Sequence, residues 1–149
     1  MAVRYAVDSN VLLRLSHQND PFCGLIQEAV RRLVQREVEL CYTAQNLGEF
    51  WNANTRPLNR NGLGLSIDET ESRTRFIETS MTLLPEDGRV YDAWRHLLFP
   101  REVRGVQVHD AHLAAALEVH GVRNLLTFNG ADFKRFPFII PVHPQDVTL

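Results

Sequence analysis

Short apolar segments alternate with longer amphipathic segments along this chain, and this order restricts the fold more than any other feature. The apolar segments have the length of buried strands, whereas the longer segments show the periodicity of helices. Neighbouring parallel strands need a long crossover connection, usually a helix, so the alternation predicts an α/β fold in which helices cover both faces of a parallel sheet. The predicted strands are residues 3–7, 38–42, 81–84, 124–128 and 138–142.

Capping residues and helix breakers give the boundaries of the predicted helices. Side-chain oxygens of Asp, Ser and Thr accept hydrogen bonds from the first free N–H groups of a helix, and Gly or Pro ends it. The predicted helices run from Asp20 to about residue 37, from Thr43 to about 55, from Ser66 or Asp68 to about 79, from Asp87 to 98, and from His109 to 120.

The composition is that of an ordinary globular protein. With 149 residues, 44% of them hydrophobic, residues 1–149 are expected to form one domain that buries roughly two-thirds of the surface of its unfolded chain. The two cysteines, Cys23 and Cys41, indicate neither a disulfide framework nor a thiolate metal site. Because no stretch resembles a secretory leader or reaches the ~18 apolar residues of a membrane span, we expect a cytoplasmic protein.

Four acidic residues occur where the ligand-binding edge of such a sheet is expected. Asp8 and Asp132 follow predicted strands, Asp110 begins a predicted helix, and Glu49 lies one to two turns into another. Open α/β sheets bind ligands beyond the carboxyl ends of their strands. Each acid also has an ordinary interpretation, namely a helix cap for Asp8 and Asp110, a solvated face for Glu49 and a turn for Asp132. Because Glu49 is flanked by the large apolar residues Phe50 and Trp51, the solvated-face interpretation is less expected for it.

Clustered carboxylates indicate a divalent metal ion. Carboxylates held within ~6 Å repel one another unless a cation compensates their charge. Oxygen ligands without a set of Cys or His residues at zinc spacing favour Mg²⁺ or Mn²⁺. His109 and His112 are more simply helix-start or core residues than ligands. A carboxylate-bound ion suits phosphodiester hydrolysis, so the residues alone predict a metal-dependent nuclease or phosphatase.

Four segments, in order, resemble the PIN-domain ribonucleases, and in particular the VapC-like toxins of type II toxin–antitoxin pairs. They are YAVDSNVLL, LGEFWN, VHDAHLAA and LLTFNGADFKRF, and they extend over residues 5–136. The resemblance implies a mostly parallel five-stranded sheet with helices on both faces and a Mg²⁺ or Mn²⁺ site. It further implies an endoribonuclease, an antitoxin protein as partner, and a homodimer in which the helices of residues 69–79 and 87–98 take part. The core of a monomer would explain the apolar residues of these helices equally well.

The same resemblance assigns the site residues. Asp8, Glu49 and Asp110 match the family's first three acids. Asp132 is assigned as the fourth, although Asn129 stands where many relatives carry an acid and is an alternative neighbour of the metal. Polar support of the acids is the role implied for Ser9, Asn10, Thr127 and Asn129, with ordinary capping or strand packing as the other interpretation.

Arginines near the site are candidates for binding RNA phosphates, because backbone contacts supply much of the affinity for nucleic acids. The candidates are Arg56, Arg60, Arg101 and Arg104. Two other functions stay open. A phosphatase of the haloacid-dehalogenase type would use Asp8 as a nucleophile, but it would need a second Asp at the position of Asn10. A catalytically silent domain that binds RNA or protein is consistent with Asn129 in place of an acid.

Overall fold

A computed structural model describes residues 2–147. A five-stranded sheet forms its centre, and every pair of neighbouring strands is parallel. The strands, in sequence order, are β1 (Arg4–Val7), β2 (Glu39–Thr43), β3 (Thr82–Leu84), β4 (Asn124–Leu126) and β5 (Ile140–Val142). Their order across the sheet is β3-β2-β1-β4-β5. The predicted α/β class with a parallel sheet is therefore confirmed.

Six α-helices connect the strands in the described residues. They are α1 (Ser9–Leu15), α2 (Cys23–Gln35), α3 (Ala44–Thr55), α4 (Ile67–Ser80), α5 (Gly88–Leu98) and α6 (Gln107–Val119). Three short 3-10 helices, Leu58–Arg60, Gly130–Phe133 and Pro144–Asp146, lie in the loops. No helix within residues 2–147 is long and apolar enough to cross a membrane.

The two faces of the sheet bury separate hydrophobic clusters. Side chains alternate between the faces of a strand, so Val7 enters the cluster formed with α1 to α4 and Ala6 the cluster formed with α6. In strand β4, Leu126 likewise enters the first cluster and Leu125 the second. Trp94 and Leu97 of α5 pack against the α6 cluster. The expected layers of helices on both faces are thus present.

Several helix caps agree with the sequence and one does not. Thr43 caps α3 and forms a capping box with Asn46, and Ser66 caps α4. The predicted start of α2 at Asp20 is wrong, because the helix begins at Cys23. The Asp20 carboxylate instead accepts a hydrogen bond of 2.8 Å from the Phe22 N–H and pairs with Arg14 at 3.4 Å, which makes a turn before the helix.

Candidate active site

Asp8 lies at the carboxyl end of β1, in the middle of the sheet. Its backbone N–H donates to the Leu126 carbonyl of β4 at 3.0 Å, so the chain leaves the sheet only after this residue. Its Oδ1 accepts from the Ser9 N–H at 2.8 Å and thereby caps α1, and its Oδ2 accepts from the Thr127 hydroxyl at 2.8 Å. Only 8% of Asp8 is exposed. The capping interpretation of Asp8 is therefore correct, but the second oxygen is held by another strand.

Polar neighbours fix the orientation of the Asp8 carboxylate. The Asn10 amide donates to Asp8 Oδ2 at 3.4 Å and accepts from the Phe128 N–H at 3.4 Å. The Thr127 hydroxyl also accepts from the Asn129 N–H at 3.0 Å, which turns the chain away from the sheet. Asn10 and Thr127 thus contact the carboxylate through their side chains, and Ser9 lowers the pKa of Asp8 through hydrogen bonds of both its N–H and its side chain. Asn129 contributes a main-chain N–H to the Thr127 hydroxyl.

The four predicted acids come together at this edge closely enough for their charges to interact. Burial is the main cause that raises the pKa of Asp8, and the charge of Asp132 adds to it. Burial, followed by the charges of Asp132 and Asp8, raises the pKa of Asp110 to about 6. Burial and the charges of Asp8 and Asp110 likewise raise the pKa of Glu49. The edge therefore holds mutually repelling carboxylates, whose repulsion outweighs the opposing charges of His109 and Arg135 at Asp110.

The acids differ in their exposure to solvent. Asp110 is half-buried, and Glu49 and Asp132 are exposed. Glu49 is exposed because its apolar neighbours point about 100° away from it, with Phe50 fully buried and Trp51 half-buried, but enough protein surrounds its carboxyl group to raise its pKa. Asp110 lies in the first turn of α6 and does not cap it, since the N-cap position is Val106. The interpretation of Asp110 as a cap is therefore wrong.

A chain of side chains not identified from the sequence links the two helices that carry Glu49 and Asp110. The Gln45 amide of α3 donates to Glu49 Oε1 at 3.5 Å and to the His109 carbonyl of α6 at 2.9 Å. The Gln45 oxygen contacts Nδ1 of His112, whose Nε2 contacts Glu86 at 2.8 Å. His112 therefore holds the Gln45 side chain, which in turn contacts Glu49. No local pattern in the sequence indicates these long-range contacts.

Two arginines join the loop before α6 to the loop before β5. Arg135, which no motif singled out, donates to the Gln107 side chain and, at 2.9 Å, to the Arg101 carbonyl. The Arg101 guanidinium donates in return to the Arg135 carbonyl. The positive charge of Arg135 lowers the pKa of Asp110 against the larger opposing effects of burial and neighbouring acids. A basic group therefore lies at the margin of the acidic cluster.

The remaining arginine candidates have local contacts. The Arg56 guanidinium donates to the Asn61 carbonyl at 3.1 Å and so ties down the loop after α3. This loop is tight at Gly62, where a Cβ would lie 2.1 Å from the Arg56 carbonyl oxygen. Arg60 is exposed in the 3-10 helix, and Arg104 pairs loosely with Glu102 at 3.9 Å. These contacts give Arg56 a structural role and leave Arg60 and Arg104 as surface candidates.

The donor set fits a hard divalent cation. Carboxylate oxygens from Asp8, Glu49, Asp110 and Asp132 share one edge, and such ligands suit Mg²⁺ and Mn²⁺. As they stand, no three Asp, Glu, His or Cys side chains in residues 2–147 converge closely enough to hold an ion. A cation would neutralise the mutual repulsion, so the residue types fit the ion, whereas their present spacing does not bring three of them together.

Comparison with protein-family models gives no match, and comparison with curated proteins gives none either. Solved structures, in contrast, share the fold along nearly the whole chain. A chain of VapBC2 from Rickettsia felis, solved bound to a DNA fragment from their promoter, has a TM-score of 0.71 and 13% identity, covering 95% of this chain and 98% of that chain. VapBC-1 from nontypeable Haemophilus influenzae has a TM-score of 0.67 and 16% identity, with the same coverage.

A third similar structure is VapC20 of Mycobacterium tuberculosis, described as a sarcin-ricin loop cleaving toxin. Its TM-score is 0.64 at 22% identity, and the match covers 94% of this chain and 99% of that chain. These similarities confirm the predicted fold: the chain has the PIN-like fold of VapC toxins, with the five-stranded parallel sheet described above.

Proposed function

We propose that this chain is a Mg²⁺- or Mn²⁺-dependent endoribonuclease that hydrolyses RNA phosphodiester bonds and acts as the toxin of a toxin–antitoxin pair. The observation that carries the proposal is the buried Asp8 carboxylate, which interacts with the charges of Glu49 and Asp132 at the centre of the carboxyl edge. Burying and clustering carboxylates lowers stability unless a cation is present. The fold shared with VapC20 supports the choice of RNA as substrate.

In this proposal Asp8, Glu49, Asp110 and Asp132 are the metal ligands and the catalytic groups. A bound divalent ion supplies Lewis-acid polarisation and neutralises charge that develops on the phosphodiester. Asp8 forms the fixed part of the site, since Ser9 and Thr127 hold both of its oxygens. Asp110 and Glu49 approach from two helices whose spacing Gln45 sets, and no side chain forms a covalent intermediate.

The proposed partners follow the structural neighbours. Two of these neighbours were solved as VapBC assemblies, so we propose a cognate antitoxin protein for this chain as well. We further propose that residues 1–149 act as one nuclease domain, in the cytoplasm and as a homodimer. The residues proposed to bind RNA are Arg56, Arg60, Arg101 and Arg104.

The alternative of a haloacid-dehalogenase-type phosphatase has less support. Such an enzyme needs a second carboxylate two residues after the nucleophile, and here that residue is Asn10, whose amide bonds Asp8 Oδ2 and the Phe128 N–H. A silent binding domain is the more serious alternative. Asn129 is exposed beside the site in place of an acid, and binding alone would not require the ion.

The decisive experiment is cleavage of a pool of structured RNAs by the purified protein in Mg²⁺, Mn²⁺ or EDTA. Wild type is compared with Asp8→Asn and Asp110→Asn, and with the matched control Asp92→Asn, which changes an exposed acid on α5. We expect metal-dependent cleavage that both site variants lose and the control retains. Circular dichroism and thermal unfolding establish that all four proteins are folded.

Two outcomes would contradict the proposal. Cleavage that persists in both Asp8→Asn and Asp110→Asn would show that the acidic edge is not the active site. RNA binding without cleavage in Mg²⁺ or Mn²⁺ would instead favour the silent domain. A phosphorylated Asp8, trapped with a phosphate-ester substrate, would revive the phosphatase.

A further inference from the structure

Arg135 lies at the margin of the acidic edge, close enough to lower the pKa of Asp110. It follows Asp132 by three positions, and its guanidinium donates to the side chain of Gln107, the first residue of α6. Asp110 lies one turn further along the same helix. The guanidinium is therefore bonded to the start of the helix that carries Asp110, and the Arg135 backbone follows the 3-10 helix that carries Asp132.

Neutral oxygens hold Arg135 in place. Its two bonds go to the Gln107 amide oxygen and the Arg101 carbonyl. Within residues 2–147, neither Arg135 nor Arg101 forms a salt bridge. Some of the other arginines pair with acids on their own helices, as Arg31 does with Glu28 and Arg75 with Glu71. The orientation of the Arg135 guanidinium is thus fixed, and within residues 2–147 no acid lies within bonding distance to neutralise its charge.

An arginine held in this way suits a phosphate ligand. A guanidinium presents more N–H donors than the two bonds to Gln107 and Arg101 use, and its planar fork matches phosphate oxygens. Arg135 is half-buried, so little side-chain freedom is lost when a ligand binds. The main-chain contacts of Arg101 place a second, exposed guanidinium on the same loop pair.

We propose that Arg135, fixed by Gln107 and Arg101, is an RNA-binding residue that contacts a backbone phosphate of the strand lying across the acidic edge. This inference rests on the proposed function for the identity of the substrate, and it extends that function by naming the group that holds the backbone beside the site. Arg101 provides the second, weaker phosphate contact. A strand held by these two arginines passes over Asp110 and Asp132 before it leaves the protein.

A purely structural role for Arg135 is the competing explanation. In that case the bonds to Gln107 and Arg101 only join two loops, and any RNA affinity would come from the arginines as a group. The two explanations predict different results when Arg135 is replaced by lysine. Lysine retains the charge that binds phosphate, but it lacks the fork that bonds Gln107 and Arg101 together.

The test measures binding of a fluorescein-labelled single-stranded RNA by anisotropy in EDTA, where metal-dependent cleavage is suppressed, at several KCl concentrations. The variants are Arg135→Gln and Arg135→Lys. Arg36→Gln is the matched control, because exposed Arg36 lies just before β2, at the opposite edge of the sheet. Each phosphate contact on single-stranded nucleic acid contributes ~0.7 to the slope of log K against log salt.

We expect Arg135→Gln to weaken binding roughly tenfold and to reduce the salt slope by ~0.7, as for one lost charge-assisted contact. Arg135→Lys retains most of the slope, and Arg36→Gln behaves as wild type. Three results would overturn the inference: no salt-dependent binding by wild type, an equal loss in Arg36→Gln, or an equal loss in Arg135→Lys together with a lower Tm.

Cleavage assays on the same proteins separate this inference from the proposed function. If wild type fails to cleave RNA but Arg135→Gln shows the expected change in slope, the nuclease assignment fails and the phosphate contact stands. If Asp8→Asn abolishes cleavage while Arg135→Gln binds as wild type does, the nuclease assignment stands and this inference fails.

Discussion

Asp8 and Glu49 present carboxylates to the same edge of the sheet by opposite means. Asp8 follows a central strand directly, is 8% exposed, and accepts hydrogen bonds on both oxygens from Ser9 and Thr127. Glu49 extends from the surface of α3, is exposed, and has one long contact of 3.5 Å with Gln45. The strand thus fixes the orientation of one proposed ligand, whereas the helix offers another that is held by a single long contact.

In the proposed site, Asp8 would determine where an ion binds, and Glu49 would help to complete its coordination. A carboxylate with a fixed orientation defines the position of a site, and ligands on mobile side chains adjust to the ion that arrives there. The comparison predicts that changes around Asp8 have large effects and that changes around the exposed acids have smaller ones.

The largest effect is expected for Thr127→Val, which removes the hydroxyl bound to Asp8 without changing the shape of the side chain. Thr127 is fully buried, so the lost bond should lower the free energy of unfolding by about 1–3 kcal/mol and weaken Mn²⁺ binding about 10–100-fold. Urea unfolding and calorimetric titration measure the two effects.

Thr55→Val is the matched control for this change, because the Thr55 hydroxyl bonds only the Trp51 carbonyl of its own helix at 2.8 Å. It should leave Mn²⁺ binding unchanged. Equal effects of the two substitutions would mean that Asp8 is no more firmly held than an ordinary side chain.

The second prediction concerns pH in the absence of divalent ions. The pKa values of Asp8, Glu49 and Asp110 are raised in the folded state, that of Asp110 to about 6. Between pH ~4 and ~6 the folded chain therefore binds more protons than the unfolded chain, and the free energy of unfolding falls as pH rises. Above this window the contribution is flat.

Urea unfolding in EDTA at half-unit steps of pH tests this dependence, and Mn²⁺ should restore stability mainly above pH 6. Asp110→Asn should flatten the curve near pH 6, whereas Asp92→Asn should leave it unchanged. A curve that rises from pH 4 to 6 in wild type would contradict the electrostatic description of the edge.

A smaller effect is expected for Gln45→Ala, which removes the connection between α3 and α6. Gln45 contacts Glu49 and the His109 carbonyl but touches neither Asp8 nor its strand. We expect Mn²⁺ binding to weaken about tenfold, the low end for groups that orient a ligand, with the Tm nearly unchanged. Gln35→Ala, at the exposed end of α2, is the control. Unchanged Mn²⁺ affinity would show that the spacing of the helices does not matter to the ion.

The smallest effect on stability is expected for Asp132→Asn. Because Asp132 is exposed, its replacement should change the free energy of unfolding by less than about 0.5 kcal/mol in EDTA. Asp8→Asn should change the free energy of unfolding by more than this, because it removes a buried charge and also the oxygen that accepts from the Thr127 hydroxyl and the Asn10 amide. The comparison fails if the two substitutions change stability equally.

Elements determined by nearby residues were predictable from the sequence. Thr43 and Ser66 cap the helices expected of them, because capping depends on residues within one turn. Asp8 and Asp132 lie at the carboxyl edge because the alternation of strands and helices fixes which ends of the strands meet. The failure at Asp20 is local as well, since Arg14 and the Phe22 N–H compete for the carboxylate that would have capped the helix.

Features that depend on distant residues were not predictable. Arg135 meets Arg101 across 34 positions and Gln45 meets His112 across 67, and no periodicity links such pairs. The exposure of Glu49 was missed for a related reason: the size of its neighbours does not reveal which side of the helix they face. The sequence therefore located the acids of the candidate site but not the groups that hold them in place.

The bond between Asp8 and Thr127 also sets the order in which the site can be made during translation. The two residues are 119 positions apart, so the ribosome has synthesised the first acid long before its partner exists. At about 5–20 residues/s this delay is roughly ten seconds, and Asp110 and Asp132 are likewise made more than 100 positions after Asp8. A nascent chain that has not reached Thr127 lacks the bond that orients Asp8, so the candidate site can form only after the ribosome has passed β4.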